Sequence, residues 1–163
     1  MPPIRRVRQH VNPLSSKYAN PAEAPDWAKV FTNPRLPLHL DIGCGKGDFV
    51  REMASQVLDW NFLGLEIREP LVERAIIRRD RAIAEGASRN LHFVFCNANN
   101  SLKPLLEHWP EGCPLERVSI QFPDPWFKKR HLKRRVVQPA QTDREAGSEE
   151  KGLSVYRAKY IRQ

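Results

Sequence analysis

The chain has 163 residues, enough for one domain at ~100–200 residues each, and its 40% hydrophobic and 28% charged residues are a globular composition. Its apolar runs, such as residues 91–96, fall far short of the roughly 20 residues of a membrane-spanning helix. Lys and Arg number 27 against 19 Asp and Glu, and the net charge of +8 favours an anionic partner: nucleic acid, a phosphorylated ligand or an acidic lipid surface.

The opening stretch, MPPIRRVRQHVNPL, is basic, but no apolar run follows it. A secretory signal is therefore not expected, and a cytoplasmic location is. Prolines crowd the first part of the chain at Pro2, Pro3, Pro13, Pro21, Pro25, Pro34 and Pro37. Residues 1–37 read as an irregular arm made basic by Arg5, Arg6 and Arg8, with one helical turn near residues 25–31. Residues 38–42 are a short, mostly apolar run stopping at glycines, which predicts a strand ending in a tight turn. Phe49, Val50, Met53, Ala54, Val57 and Leu58 follow at helical spacing. Residues 62–67 predict a second strand. Pro70 and Gly86 suit the two ends of a helix, with Val72, Ala75, Ile76 and Ile83 as its apolar stripe. Residues 91–96 and 117–122 predict two more strands, with a weaker helix over 102–109 between them. Residues 140–151 are polar and charged, and 154–161 predict a last short strand. The alternation of strands and helices predicts a parallel α/β sheet.

In such a sheet, ligands bind at the carboxyl ends of the strands. There the chain reads Asp41-Ile-Gly43-Cys-Gly45-Lys-Gly47. Glycines let a backbone approach a ligand that a β-carbon would hold off. A dinucleotide site spaces them G-x-G-x-x-G, but position 48 is Asp48 and the spacing is G-x-G-x-G. That form, with a carboxylate before it and no pyrophosphate to cradle, suits S-adenosylmethionine (SAM). Glu66 ends the second strand, where a carboxylate accepts hydrogen bonds from both ribose hydroxyls. Asn97 closes the third strand. Its amide fits an adenine edge and equally the N-cap of the next helix.

The fourth strand runs into Phe122-Pro-Asp124-Pro-Trp126-Phe127, where two prolines stiffen the chain around one aspartate. A flipped-out base could stack on Trp126 or Phe127 while Asp124 accepts from its polar edge. Then come Lys128, Lys129, Arg130, His131, Leu132, Lys133, Arg134 and Arg135, six of the eight permanently basic. Contact with several phosphates would make affinity fall steeply with salt, by a slope of roughly −0.7 to −0.9 per contact. Cys44, Cys96 and Cys113 are odd in number and form no CxxC pair, so reduced thiols are expected and no metal centre. His10, His39, His92 and His108 show no spacing of a metal site or a triad, and structural roles are expected of them.

Taken together, DIGCGKGDF (41–49), FLGLEIR (62–68), NLHFVFCNAN (90–99) and FPDPWFKKRHLKRRVVQP (122–139) resemble the bacterial tRNA (guanine-N7-)-methyltransferase family, nearest its cyanobacterial members; RQHVNPLS (8–15) is similar to that family's basic arm. The resemblance implies a Rossmann-like class I SAM-dependent methyltransferase sheet and methyl transfer from SAM to N7 of the variable-loop guanine of tRNA. It implies that Asp41, Gly43, Gly45, Gly47, Glu66 and Asn97 bind SAM. Asp124 would sit at the active site against both cofactor and guanine. Lys128 would contact the substrate, and Arg130, Lys133, Arg134 and Arg135 would lie on the RNA. The family often has Glu at position 41 and Asp at position 97. Thr142 and Glu145 match its T-x-x-E substrate motif, and GLSVYRA (152–158) its closing strand. Between VVQP and that motif the family carries a helix, a central strand and further helical sequence, where this chain has only Ala140 and Gln141. The expectation is a basic arm (1–37), a SAM-binding domain (38–139) whose sheet stops after the fourth strand, and a residual segment (140–163) after an internal deletion near residue 141. A non-catalytic RNA-binding remnant or an inactive fragment of such an enzyme is the alternative, and a small-molecule methyltransferase is disfavoured by the charge.

Overall fold

Strand β1 (Leu38–Ile42) is buried at every residue, as befits the central strand of a sheet covered on both faces. In this computed structural model, which describes residues 10–124 and 126–137, β1 pairs in parallel with β2 (Asn61–Glu66) on one side and β4 (Leu115–Ile120) on the other. Strand β3 (Leu91–Phe95) extends the sheet beyond β2, giving the order β3-β2-β1-β4. The sheet is the Rossmann-like α/β arrangement predicted, and among the described residues it stops at β4.

Among the described residues four α-helices accompany it: α1 (Trp27–Val30), α2 (Asp48–Gln56), α3 (Glu69–Ala84) and α4 (Ala98–Glu107). Helix α4 begins four residues before the predicted start at residue 102. The Asn97 side chain accepts from the backbone N–H of Asn99, which satisfies a donor left free at the helix start.

The period-two alternation of strand side chains sends β1 residues to two cores. Leu38, Leu40 and Ile42 pack with Leu63, Leu65, Leu105, Val118, Trp27 and Phe31 on one face. The other face carries Val50, Ala54, Phe62, Val72, Ala75, Leu91 and Phe93, and to it His39 and Asp41 point. The proline-rich lead-in thus supplies Trp27 and Phe31 to the core, where the two rings stack at 6.0 Å between centroids.

Gly64 lies where β2 meets the second core. A β-carbon there would sit 2.7 Å from Phe93 Cδ1 and 2.8 Å from Cys44 Sγ, both closer than packed atoms allow. Because protein interiors are close-packed, Gly64→Ala should lower stability by about 1–3 kcal/mol. Urea unfolding checks this, and a variant as stable as the parent would show that Phe93 has room to move.

Candidate cofactor and substrate cleft

The strand order reverses between β1 and β4, because the chain runs outward from β1 through β2 to β3 and then returns to the far side of β1. Such a switch point opens a crevice at the carboxyl ends of the strands. A cleft of about 350 Å³ lies there, walled by Ile42, Gly43, Leu65, Glu66, Asn97 and Asp124 among others. That volume is within the ~300–1,000 Å³ of small-molecule sites. A second cavity, walled by Asp41, Cys44, Gly45 and Phe49, shares Gly43, Arg68, Gln121 and Phe122 with it. Six of the seven residues expected to bind the cofactor (Asp41, Gly43, Gly45, Glu66, Asn97 and Asp124) therefore line one or other of two adjoining cavities; Gly47 lines neither.

The glycine turn adopts backbone conformations that favour glycine, with φ of +77° at Gly43, +61° at Gly45 and +73° at Gly47. Gly43 faces open space, and Gly47 starts α2 with its missing β-carbon directed at the Phe93 ring. Arg78 of α3 grips the turn, bonding the Lys46 carbonyl and, at 2.8 Å, the Asp48 carboxylate. Asp48, which replaces the last glycine of a dinucleotide motif, thus ties α2 to α3.

Glu66 is 3% exposed and fully engaged. Its Oε2 accepts from the Gly45 backbone N–H at 2.9 Å and from Arg68 Nη2 at 3.1 Å. Its Oε1 accepts from the Arg68 backbone N–H at 2.9 Å and from Arg68 Nε at 2.8 Å. A carboxylate has about four acceptor positions, and all four are taken. Arg68, which sequence reasoning passed over, holds two of them through its guanidinium. Those two can be released by a side-chain movement, leaving one acceptor on each oxygen.

Asn97 caps α4 and also lines the cleft. Its Oδ1 caps α4, and its Nδ2 donates to the Pro13 carbonyl at 3.1 Å. An amide has two donor protons and two acceptor lone pairs, so these two bonds leave one of each on a residue that lines the cleft. Residues 10–22 are stitched across the same edge of the sheet. Asn100 Nδ2 donates to the carbonyls of Tyr18 and Ala19, the Ala22 N–H donates to Ser101 Oγ, and Lys17 pairs with Glu69 at 2.8 Å.

Asp124 stands at the mouth of the cleft, where its carboxylate accepts from His10 Nδ1 at 2.9 Å. A structural role was expected of His10, yet it touches the residue expected to be catalytic, 114 positions away. The loop that carries Asp124 is strained, with non-glycine φ values of +47° at Phe122 and +38° at Trp126. Trp126 was expected to offer a flat face. Instead Arg134 lies over that ring at 5.0 Å, and the His10 and His131 rings meet it edge-on. The open aromatic faces are Phe122, 90% exposed, and Phe127, 84% exposed.

The basic run divides in the same way. A 3-10 turn (Lys129–Arg134) sets Lys128, Arg130 and Lys133 toward solvent. Arg134 and Arg135 are half-buried, one over the Trp126 ring and the other donating to its carbonyl at 3.3 Å. These two arginines hold the loop's shape. Thr142, Glu145, Arg5, Arg6 and Arg8 lie outside the described residues, as does the strand expected over 154–161. Burial pushes the Cys44 thiol up, and the Cys96 thiol up to about 12, which keeps both protonated.

A sequence family described as "Putative methyltransferase" matches residues 35–152. The chain belongs to that methyltransferase family. Among curated proteins, it is 59% identical over 137 residues to a tRNA (guanine-N(7)-)-methyltransferase of Trichormus variabilis, covering 84% of this chain and 61% of that protein. It is 58% identical to the protein of that name from Synechococcus elongatus (82% of this chain, 61% of that one) and 54% identical to that from Synechocystis sp. (82% and 61%). The chain spans about three fifths of the length of these methyltransferases. A solved SAM-dependent methyltransferase from Thiobacillus denitrificans, with S-adenosyl-L-homocysteine bound, is alike over 53% of this chain and 35% of its own, at 23% identity and a TM-score of 0.31. Among the described residues, no helix is long and apolar enough to cross a membrane.

Proposed function

We propose that this chain binds SAM at the carboxyl edge of its sheet and transfers the methyl group to N7 of the variable-loop guanine of tRNA. The observation that carries this reading is the convergence of Asp41, Glu66, Asn97 and Asp124 from four separate strand ends on two adjoining cavities. The donor set fits the cofactor. Carboxylates suit a cationic methionine end, Asn97 keeps a donor and an acceptor for an adenine edge, and Glu66 can offer one acceptor to each ribose hydroxyl once the Arg68 guanidinium turns away.

SAM supplies an electrophilic methyl group carried on a sulfonium. Guanine N7 has a lone pair and no proton, so the residues need not remove one from it. Their work is alignment and charge. Alignment of reacting groups can contribute up to ~7–11 kcal/mol. Asp124 stabilises the positive charge that builds on the methylated ring. To do so it exchanges His10 for the base. The exposed Phe122 and Phe127 beside it offer faces on which a splayed base stacks. Lys128, Arg130 and Lys133 hold the RNA backbone, with Arg5, Arg6, Arg8, Thr142 and Glu145 further candidates for RNA contact.

The test is methyl transfer from labelled SAM to an unmodified tRNA transcript, with the product mapped for 7-methylguanine. The reading expects label at the variable-loop guanine. No label, beside an active full-length relative run in parallel, would leave a chain that binds RNA without catalysis.

A further inference from the structure

Two polar residues stand in the second core without a part in the function described so far. His39 lies between Phe49 and Phe62, 5.9 and 5.5 Å from their ring centroids, and is 1% exposed. An aliphatic side chain would pack there without needing a partner. His39 Nδ1 has none among the described residues, although the atom is buried. Its Nε2 lies 3.0 Å from Ser119 Oγ, and that hydroxyl donates to Asp41 Oδ1 at 2.6 Å. A serine hydroxyl has one proton. Donating it to a carboxylate leaves the oxygen to accept, so His39 carries a proton on Nε2. The bonds thus run in one direction, from the imidazole on β1 through the hydroxyl on β4 back to the carboxylate on β1, 80 residues apart at their widest.

We propose that Ser119 and His39 are positioning residues for the cofactor, fixing the Asp41 carboxylate in the cleft wall through two buried hydrogen bonds. Asp41 is only 1% exposed yet lines the second cavity. A carboxylate so deep keeps its charge and its direction only if donors hold it. Of the other groups facing Asp41, one shares this role and two do not. Gln121, just past the end of β4, also hydrogen-bonds it, whereas Glu66 of β2 repels it and Cys44 of the turn is a neutral thiol. Burial pushes the His39 imidazole down to about 4, with Arg117 of β4 acting in the same direction, so the ring stays neutral at ordinary pH.

The consequence is measurable as a pH profile. Burial raises the Asp41 carboxyl above its ordinary value, and the Ser119 bond works against that rise. The ammonium group that SAM and S-adenosylhomocysteine share binds the ionised form, so affinity for either falls as the pH drops and Asp41 takes up a proton. Removing the Ser119 hydroxyl should move that fall to higher pH, because the carboxylate has lost a donor.

The inference rests on the SAM reading of the cleft, and the experiment separates the two. S-adenosylhomocysteine binding to the full chain is followed by calorimetry across the acid range for the parent, Ser119→Ala and Ser119→Thr. The expected result for Ser119→Ala is affinity about three- to tenfold weaker at neutral pH, with the acid limb moved up by roughly half to one pH unit. Ser119→Thr, which keeps the hydroxyl, should restore the parent profile. A folded Ser119→Ala with the parent's affinity and acid limb overturns the positioning role alone. A parent chain that binds no S-adenosylhomocysteine at any pH overturns the cofactor reading and the inference with it. Should Ser119→Ala fail to fold, His39→Gln, which keeps a donor, is compared with His39→Leu, which fits the apolar slot. Equal acid limbs in that pair also overturn the proposal.

Discussion

Asp124→Ala is expected to lower methyl transfer by about 10²–10³-fold, the usual loss when a preorganised group facing transition-state charge is removed. Substrate affinity should change little, because the residues proposed to hold the RNA backbone, Lys128, Arg130 and Lys133, are exposed side chains that the substitution leaves in place. The substitution also frees His10, whose Nδ1 donates to Asp124. If that contact only shielded the carboxylate, losing it has no catalytic cost of its own. Asp124→Asn separates shape from charge. It keeps an acceptor in the same place and removes the negative charge, so it should fall close to the alanine variant. Single-turnover transfer to a tRNA transcript, with filter binding alongside, reads both quantities. Unchanged turnover in Asp124→Ala would remove Asp124 from the chemistry and leave Arg68 and the exposed Phe122 and Phe127 as the groups to examine.

Glu66→Ala carries the second large effect, in binding and in stability together. Two bonds to ribose hydroxyls from one buried carboxylate are each worth ~1.5–3 kcal/mol as charge-assisted bonds. Their loss predicts at least ~100-fold weaker S-adenosylhomocysteine binding. The folded state suffers as well. The half-buried Gly45 and Arg68 backbone N–H groups lose their acceptor. The Arg68 guanidinium, on a side chain 27% exposed, can turn to water. A cost of about 2–3 kcal/mol follows, short of the ~3–5 kcal/mol for breaking a wholly buried pair. Glu66→Gln should not rescue either property, since its NH2 group would face an Arg68 donor. Calorimetry and urea unfolding test the two halves separately. A variant that binds S-adenosylhomocysteine as the parent does would move the ribose away from Glu66.

Much of this was legible along the chain because it depends on neighbours in sequence. The alternation of apolar runs and helical stripes gave the order of β1, α2, β2, α3, β3, α4 and β4 within a few residues. The start of α4 was set at residue 102 by its apolar period, because the N-cap role open to Asn97 competed with a ligand role and periodicity could not choose between them. The glycine turn was readable because positive φ at residues 43, 45 and 47 is a backbone demand that one residue type meets at no steric cost. Glu66 and Asn97 were readable because the end of a parallel strand is where a ligand edge lies. A run of basic residues announces itself in composition.

What the sequence could not hold was every pairing between distant segments. Nothing local to HVNP marks His10 as the partner of Asp124, and nothing in LHLDI marks His39 as bound to Ser119. Each contact exists because the sheet order puts β4 beside β1 and lays residues 10–22 across the strand ends. Arg68 is adjacent to Glu66 in sequence, yet its grip on both oxygens needed the backbone bend that aims the guanidinium back at β2. The same folding buries Arg134 against Trp126 and leaves Phe122 and Phe127 exposed, a division that the run of residues 122–135 does not announce. Local propensity and periodicity determined the elements and the chemical inventory of the cleft. The parallel pairing of strands far apart in the chain decided which of those groups face one another, because hydrogen bonds and packing act over ångströms in space, whatever the separation along the chain.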